Sequence, residues 1–111
     1  MQIRERIVGD VTILDLAGPL TFGEGETAFR RHISRLIGDK KRAILLNLEK
    51  VEFLDSSGVG ALVQYLTSIA RSGGKLKALR AGPMVVKVLK ITGVHNLIEF
   101  YDDERKAVAS F

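Results

Sequence analysis

Cysteine and tryptophan are absent from the 111 residues, and only 2 histidines and 2 prolines occur. Without cysteine there is no disulfide framework, no thiol nucleophile and no thiolate metal ligand, which points to a reducing, cytoplasmic address. The two histidines, His32 and His95, stand far apart. Neither has a second ligand at metal-binding spacing or a nucleophile beside it, so both are read as ordinary surface residues. Long apolar runs are also missing. Ala43-Ile44-Leu45-Leu46 is far shorter than the roughly 20 apolar residues that cross a bilayer, and Met1-Gln2-Ile3-Arg4-Glu5-Arg6 alternates charge with apolar side chains in place of a signal-peptide core. No membrane insertion is expected.

Aromatic residues make up only 6% of the chain, and the net charge of +4 comes from 17 scattered basic against 13 acidic residues. That combination lacks the basic surface interleaved with stacking rings that nucleic acid requires, so no direct nucleic-acid binding is expected. What is present is a balanced globular composition, 46% hydrophobic and 27% charged. It suits one domain over residues 1–111, large enough for a core but too small for an added catalytic lobe.

Along the chain, two β-rich runs, Ile3–Val8 and Val11–Ala17, flank Gly9-Asp10 and predict an N-terminal hairpin. Gly18-Pro19-Leu20 ends the second run. Thr21-Phe22-Gly23-Glu24 then matches a capping box, with Thr21 expected to cap a first helix whose inner face is Phe29, Ile33, Leu36 and Ile37. Gly38 stops that helix, leaving His32 and Arg35 toward solvent. Ala43–Leu48 is apolar without alternation, as in a central strand covered on both faces.

Val59, Leu62, Val63, Leu66, Ile69 and Ala70 recur at helical spacing up to Gly73-Gly74. Lys75–Leu79 reads as a strand. Pro83 and Gly93 bracket a third helix carrying Met84, Val85, Val88 and Leu89 inward, Leu97–Tyr101 reads as a last strand, and Asp102-Asp103-Glu104 opens a terminal helix. This order predicts an α/β fold: a mixed, mostly parallel sheet of about four or five strands, entered by a hairpin and covered by about four helices.

The chemistry concentrates at Asp55-Ser56-Ser57-Gly58-Val59-Gly60, where an apolar strand gives way to a helix. Ser56 or Ser57 can serve as the helix N-cap, or a hydroxyl there can carry a phosphate whose charge meets the positive end of the helix and the repelling Asp55 carboxylate. Gly58 and Gly60 weaken the helix start, so something needs them small. Close packing on the sheet is the favoured reason, and close approach of a partner is the second. A serine hydrolase is disfavoured because Leu54, not glycine, precedes Ser56 by two residues, and Gly73-Gly74-Lys75 lacks the spacing of a nucleotide-binding loop. Glu26 and Arg30 form a helix-surface pair. No enzyme activity, cofactor or metal is expected.

The run Ile44-Leu45-Leu46-Asn47-Leu48-Glu49-Lys50-Val51-Glu52-Phe53-Leu54-Asp55-Ser56-Ser57-Gly58-Val59-Gly60 resembles the signature of STAS domains, specifically bacterial anti-sigma factor antagonists. Leu16-Ala17-Gly18-Pro19-Leu20-Thr21, Ile91-Thr92-Gly93-Val94 and Ile98-Glu99-Phe100 extend the resemblance along nearly the whole chain. It implies a STAS fold and a regulator whose Ser56 is phosphorylated by an anti-sigma factor that is also a serine kinase. A serine phosphatase would reverse the modification. Asp55, Ser57, Gly58, Val59 and Gly60 would form the phosphosite surroundings and docking face. Thr21 stands where some members carry aspartate, so a kinase contact that depends on that charge does not carry over. The family also includes accessory subunits of lipid- and anion-transport complexes, which is the alternative role.

Overall fold

The computed structural model describes residues 1–111. Its five strands are β1 (Gln2–Val8), β2 (Val11–Ala17), β3 (Ala43–Lys50), β4 (Lys75–Leu79) and β5 (Phe100–Tyr101), and they lie side by side in chain order. The β1–β2 hairpin is antiparallel and every later pair is parallel. Helices α1 (Glu24–Gly38), α2 (Ser56–Arg71) and α3 (Pro83–Ile91) are the crossovers between parallel strands. Right-handed crossovers between strands laid down in sequence order place all three on one face. A short 3₁₀ turn, Val94–Asn96, follows α3, and α4 (Glu104–Ala109) ends the fold. The expected α/β architecture is therefore present, although the last strand is shorter than Leu97–Tyr101.

The two faces of the sheet carry separate cores. Leu14, Leu16, Ile44, Leu46, Leu48 and Ala78 meet Phe29, Ile33 and Leu36 of α1, Leu62, Tyr65 and Ile69 of α2, and Val85 and Leu89 of α3. On the opposite face, Val11, Ile13, Leu45 and Leu79 pack with Ala107, Val108 and Phe111 of the α4 segment. The unbroken apolar run of β3 serves both faces, since Ile44 and Leu46 point one way and Leu45 the other.

Several helix-face assignments need correction. Ala70 and Met84, expected inward, are exposed, whereas Tyr65 is buried. The Tyr65 hydroxyl lies 2.7 Å from Ser34 Oγ, so the ring enters the core while its polar end stays bonded to α1. His32 is half-buried and not simply solvent-facing, because Glu5 of β1 reaches back over α1 to its Nε2 at 2.9 Å and to Arg35 at 2.6 Å. His32, then Arg35, holds the Glu5 carboxyl below its ordinary range. His95 stacks on Phe100, with ring centroids 4.8 Å apart.

Two polar links fasten α4. Arg6 of β1 pairs with Asp15 at 2.7 Å and Glu104 at 2.8 Å, and Asn47 donates to the same Asp15 at 2.9 Å. Lys77, only 2% exposed, donates to the Ser110 carbonyl at 2.8 Å and hydroxyl at 2.9 Å beneath the Phe111 ring. A buried ammonium is tolerated here because the C-terminal carbonyl end of α4 and an aromatic face both stabilise positive charge.

Candidate functional site

The site lies at the C-terminal ends of β2 and β3, where two loops are stitched together by backbone bonds. Gly18 N donates to Lys50 O at 3.0 Å, Leu20 N donates to Phe53 O at 2.9 Å, and Leu20 pairs with Leu54 in an isolated parallel bridge. These bonds extend the β2–β3 ladder past the end of regular sheet. Leu20 and Leu54 are each 2% exposed and anchor the two loops in the core. The chain leaves that anchor at Asp55 and immediately begins α2.

Asp55 is the N-cap of α2. Its backbone is extended, its Oδ1 accepts from Gly58 N at 3.0 Å, and its Oδ2 accepts from Phe22 N at 2.9 Å. Neither serine caps the helix, which corrects the expectation placed on Ser56 or Ser57: the carboxylate one residue earlier takes that role. Phe22, then Gly58, holds the Asp55 carboxyl below its ordinary value, since both amides bond to the ionised form.

Ser56 is then the first residue of α2, exposed, with a hydroxyl that makes no hydrogen bond within the chain. Ser57 is half-buried, and Gly58 and Val59 turn inward. A methyl on Gly58 would collide with the Leu20 carbonyl oxygen, so glycine is what lets α2 sit against the β2 loop. Gly60 is different. It is exposed and has nothing within 4 Å of where a Cβ would stand, so packing does not explain it. One turn beyond Ser56, it keeps the surface above the hydroxyl flat.

Thr21 sits beside this corner but does not cap α1. The helix starts at Glu24, flanked by Gly23 at φ 97°, and it has no side-chain cap. The left-handed Gly23 redirects the chain between Thr21 and Glu24, so the reciprocal bonds of a capping box do not form, and Thr21 contributes its carbonyl to Glu26 N at 3.0 Å. Two rings that sequence reasoning does not single out frame the corner: Phe22 is 79% exposed and Phe53 44% exposed. A signal for them is present, as each directly adjoins a residue fixed by the corner, Phe22 next to Thr21 and Phe53 next to Leu54.

No group of three or more His, Cys, Asp or Glu side chains is arranged to hold a metal, and no helix is long and apolar enough to cross a membrane. The arrangement is a corner that presents the exposed, unbonded Ser56 hydroxyl, with the unbonded Ser57 hydroxyl half-buried next to it and the exposed rings of Phe22 and Phe53 on the two loops. It is suited to recognition by another protein.

A small mixed sheet with a serine at the strand-to-helix corner defines the class, and comparison with known proteins identifies the family. The STAS domain model matches residues 2–107, and the chain belongs to that family. It is 31% identical over 65 residues to the anti-sigma F factor antagonist of Paenibacillus polymyxa, a match spanning 59% of this chain and 56% of that relative. The crystal structure of a "putative anti-sigma factor antagonist" from Thermotoga maritima superposes with TM-score 0.90 at 28% identity, covering 97% of this chain and 92% of the other. The Bacillus cell fate determinant SpoIIAA, solved in its phosphorylated form, shares the fold with TM-score 0.76 at 23% identity, covering 98% of both chains.

Proposed function

We propose that this chain is a cytoplasmic anti-sigma factor antagonist, acting by reversible docking and not by catalysis, with Ser56 as its phosphorylation switch. Its partner is an anti-sigma factor with serine kinase activity, and a serine phosphatase restores the hydroxyl. Residues 1–111 act as one STAS domain. The observation that carries this reading is the exposed, unbonded Ser56 hydroxyl directly beside an Asp55 carboxylate that two backbone amides keep ionised.

Unmodified, the corner offers a partner a flat surface over Ser56 and Gly60 flanked by Phe22 and Phe53, the kind of exposed ring that fills a pocket at an interface centre. A phosphate on Ser56 brings a charge of about −1.5 to −2 against Asp55 and places like charges at the centre of that surface. It also competes for the first-turn Gly58 amide of α2 that Asp55 now caps. Docking is thereby lost while the buried framework of Leu20, Leu54 and Gly58 stays in place.

The test is incubation with the purified partner kinase and ATP, followed by intact mass and peptide mapping. One phosphate at Ser56 and loss of the complex are expected. Modification at Ser57 or Thr21 instead would refute the residue assignment. Recovery of an integral-membrane permease as the stable partner, with no phosphorylation, would favour the transport-subunit role.

A further inference from the structure

Basic residues that are scattered along the sequence are gathered by the fold at one end of the molecule. Strands β2, β3 and β4 are parallel and start level with one another, Thr12 beside Ile44 and Ile44 beside Leu76, so the segments leading into them lie together. A backbone bond joins two of these segments: Lys75 N donates to Arg42 O at 2.7 Å, and a side chain on Gly74 would strike the same carbonyl. The crossover helices run back along the sheet, which brings the last turns of α1, α2 and α3 to this end as well. It lies about 24 Å from Ser56, the length of the 16-residue α2.

Lys40, Lys41, Arg42, Arg71, Lys75 and Lys90 stand at this end, and none of them forms an ion pair within the chain. All are exposed except Lys41, which is half-buried. Lys75 points to the α4 side of the sheet, as Lys77 and Leu79 do, so the cations are spread around both sides of the rim. The acids here are Asp10 and Asp39, and Asp39 is already engaged by Arg35 at 3.5 Å. Three helix C-termini add about half a negative charge each, which still leaves a positive excess. The Ser56 end has the opposite sign, with Glu24, Glu49, Glu52, Asp55, Asp102 and Asp103 outnumbering Lys50, Arg80 and Arg105.

Two further observations fall at the basic end. Lys40 is held at φ 61°, in the left-handed region where glycine is the usual choice just past a helix, so the chain carries backbone strain at a position that presents a cation. Exposed aliphatic side chains border the charges: Ile7 is 62% and Val8 37% exposed beside the β1–β2 turn, and Leu97, 64% exposed, lies near Arg71. The segments 7–11, 35–42 and 71–75 contain no Phe, Tyr or Trp.

We propose that this end rests on the surface of an anionic lipid bilayer, its cations among the headgroups and Ile7, Val8 and Leu97 reaching the edge of the acyl region. Anionic headgroups attract each lysine or arginine brought to the surface, and the aliphatic tips gain by leaving water. A nucleic acid matches the charge but not the aliphatic rim, and it finds no ring here to stack on a base. The separation of charge also orients the molecule. Landing with the Ser56 end down sets acids against anionic headgroups, so the corner points to solvent and stays open to a partner. Adsorption of this kind needs no spanning helix and does not depend on modification of Ser56.

Sedimentation with phosphatidylcholine vesicles containing about one-third phosphatidylserine is the test. Saturable binding is expected, with little to phosphatidylcholine alone, and it should weaken by about tenfold or more when salt is raised to about 0.5 M. Lys40→Gly/Arg71→Gln should bind the anionic vesicles about tenfold or more weakly. Glycine suits the left-handed backbone at position 40, and melting curves confirm that the loss is not one of folding. Ile7→Ser and Leu97→Ser should each weaken binding by about threefold, and Ser56→Glu should sediment like the wild type. Equal binding to neutral vesicles, or unchanged binding in the charge variant, would overturn the proposal. So would duplex DNA that binds more tightly than the vesicles and releases the protein from them, which would assign the basic end to nucleic acid.

Discussion

The amide of Phe22 donates a 2.9 Å hydrogen bond to the Asp55 carboxylate, joining two loops 33 residues apart in the chain. The other oxygen of that carboxylate accepts from Gly58, so one side chain both starts α2 and tethers the loop that leads into α1. Asparagine has a single acceptor oxygen and can keep only one of these bonds. Asp55→Asn is expected to retain the helix cap, protecting the Gly58 amide, while exchange at the Phe22 amide accelerates by about tenfold. Equal protection of both amides would show that the tether is not carried by the second oxygen. Asp55→Ala should release both amides and lower the melting midpoint.

The corner glycines should respond in opposite directions. Gly58→Ala drives a methyl into the Leu20 carbonyl and is expected to cost about 1–3 kcal/mol. Gly60→Ala adds a methyl to open space in a helix and is expected to stabilise by about 0.5–1 kcal/mol. Urea denaturation of both variants separates them. If Gly60→Ala stabilises the protein yet weakens the partner complex, the partner's surface passes close over Gly60.

Arg6 couples stability to pH. Arg6 holds Asp15 below its ordinary value of 3.8, with Asn47 adding a further bond, and it likewise holds Glu104 below 4.5. Because both folded-state values are depressed, their contribution is fully present above the ordinary values and is lost as pH falls through the lowered ones. Arg6→Gln should flatten that acid limb and cost about 1–3 kcal/mol at neutral pH, since it strands two half-buried carboxylates. Thermal melts from pH 7 to 2 measure the difference. A parallel acid limb in the variant would assign the pH dependence elsewhere.

Lys77 tests the attachment of α4. Lys77→Ala leaves the Ser110 carbonyl and hydroxyl without their donor and opens space beneath Phe111, at an expected cost of about 1–3 kcal/mol. Limited proteolysis should then cut first within 104–111. Lys77→Met keeps the apolar stem and should lose less.

Thr21 and Ser56 complete the set. Thr21→Ala is expected to change stability by no more than about 0.5 kcal/mol, because α1 has no side-chain cap to lose. Ser56→Ala should bind the partner like the wild type and resist phosphorylation. Ser56→Glu should fold but bind about tenfold or more weakly, as measured by titration calorimetry. Equal affinity of Ser56→Glu and the wild type, with the phosphorylated protein run beside them, would count against an electrostatic switch.

Much of the fold is legible directly in the residues, because its signals are local. The run Ala43–Leu48 needs apolar cover on both faces, and Pro83 with Gly93 brackets α3 within two residues at its far end. Most of the failures share a cause, which is that a distant partner decides the outcome; the Thr21 box is the local exception. The Thr21 box has the right residue types, but the left-handed Gly23 lies between its members. Asp55 reads as a charge beside Ser56, while its amide partner Phe22 is brought near only by the Leu20–Leu54 bridge. Alternation along β4 places Lys77 on the Leu79 face, yet nothing nearby in sequence announces that Ser110 and Phe111 will roof it. Tyr65 fits the period of α2, but only the Ser34 contact shows how its hydroxyl stays bonded while the ring is buried.

The strand order also bears on how the molecule is made. Because β1 to β5 lie in the sheet in the sequence in which they are synthesised, each new strand docks on an edge already in place, and no strand waits for a later one to fill a gap between neighbours. Loop-closure entropy is met in small instalments, the condition that favours fast folding for a sheet-containing chain. The corner made by Leu20, Asp55 and Gly58 closes once α2 has formed, while the segments that become α3 and α4 are still to come. A nascent chain therefore holds every residue of that corner before its C-terminal third has emerged, and β4, on which α2 packs, then fixes the helix while Lys77 and the last helix seal the opposite face.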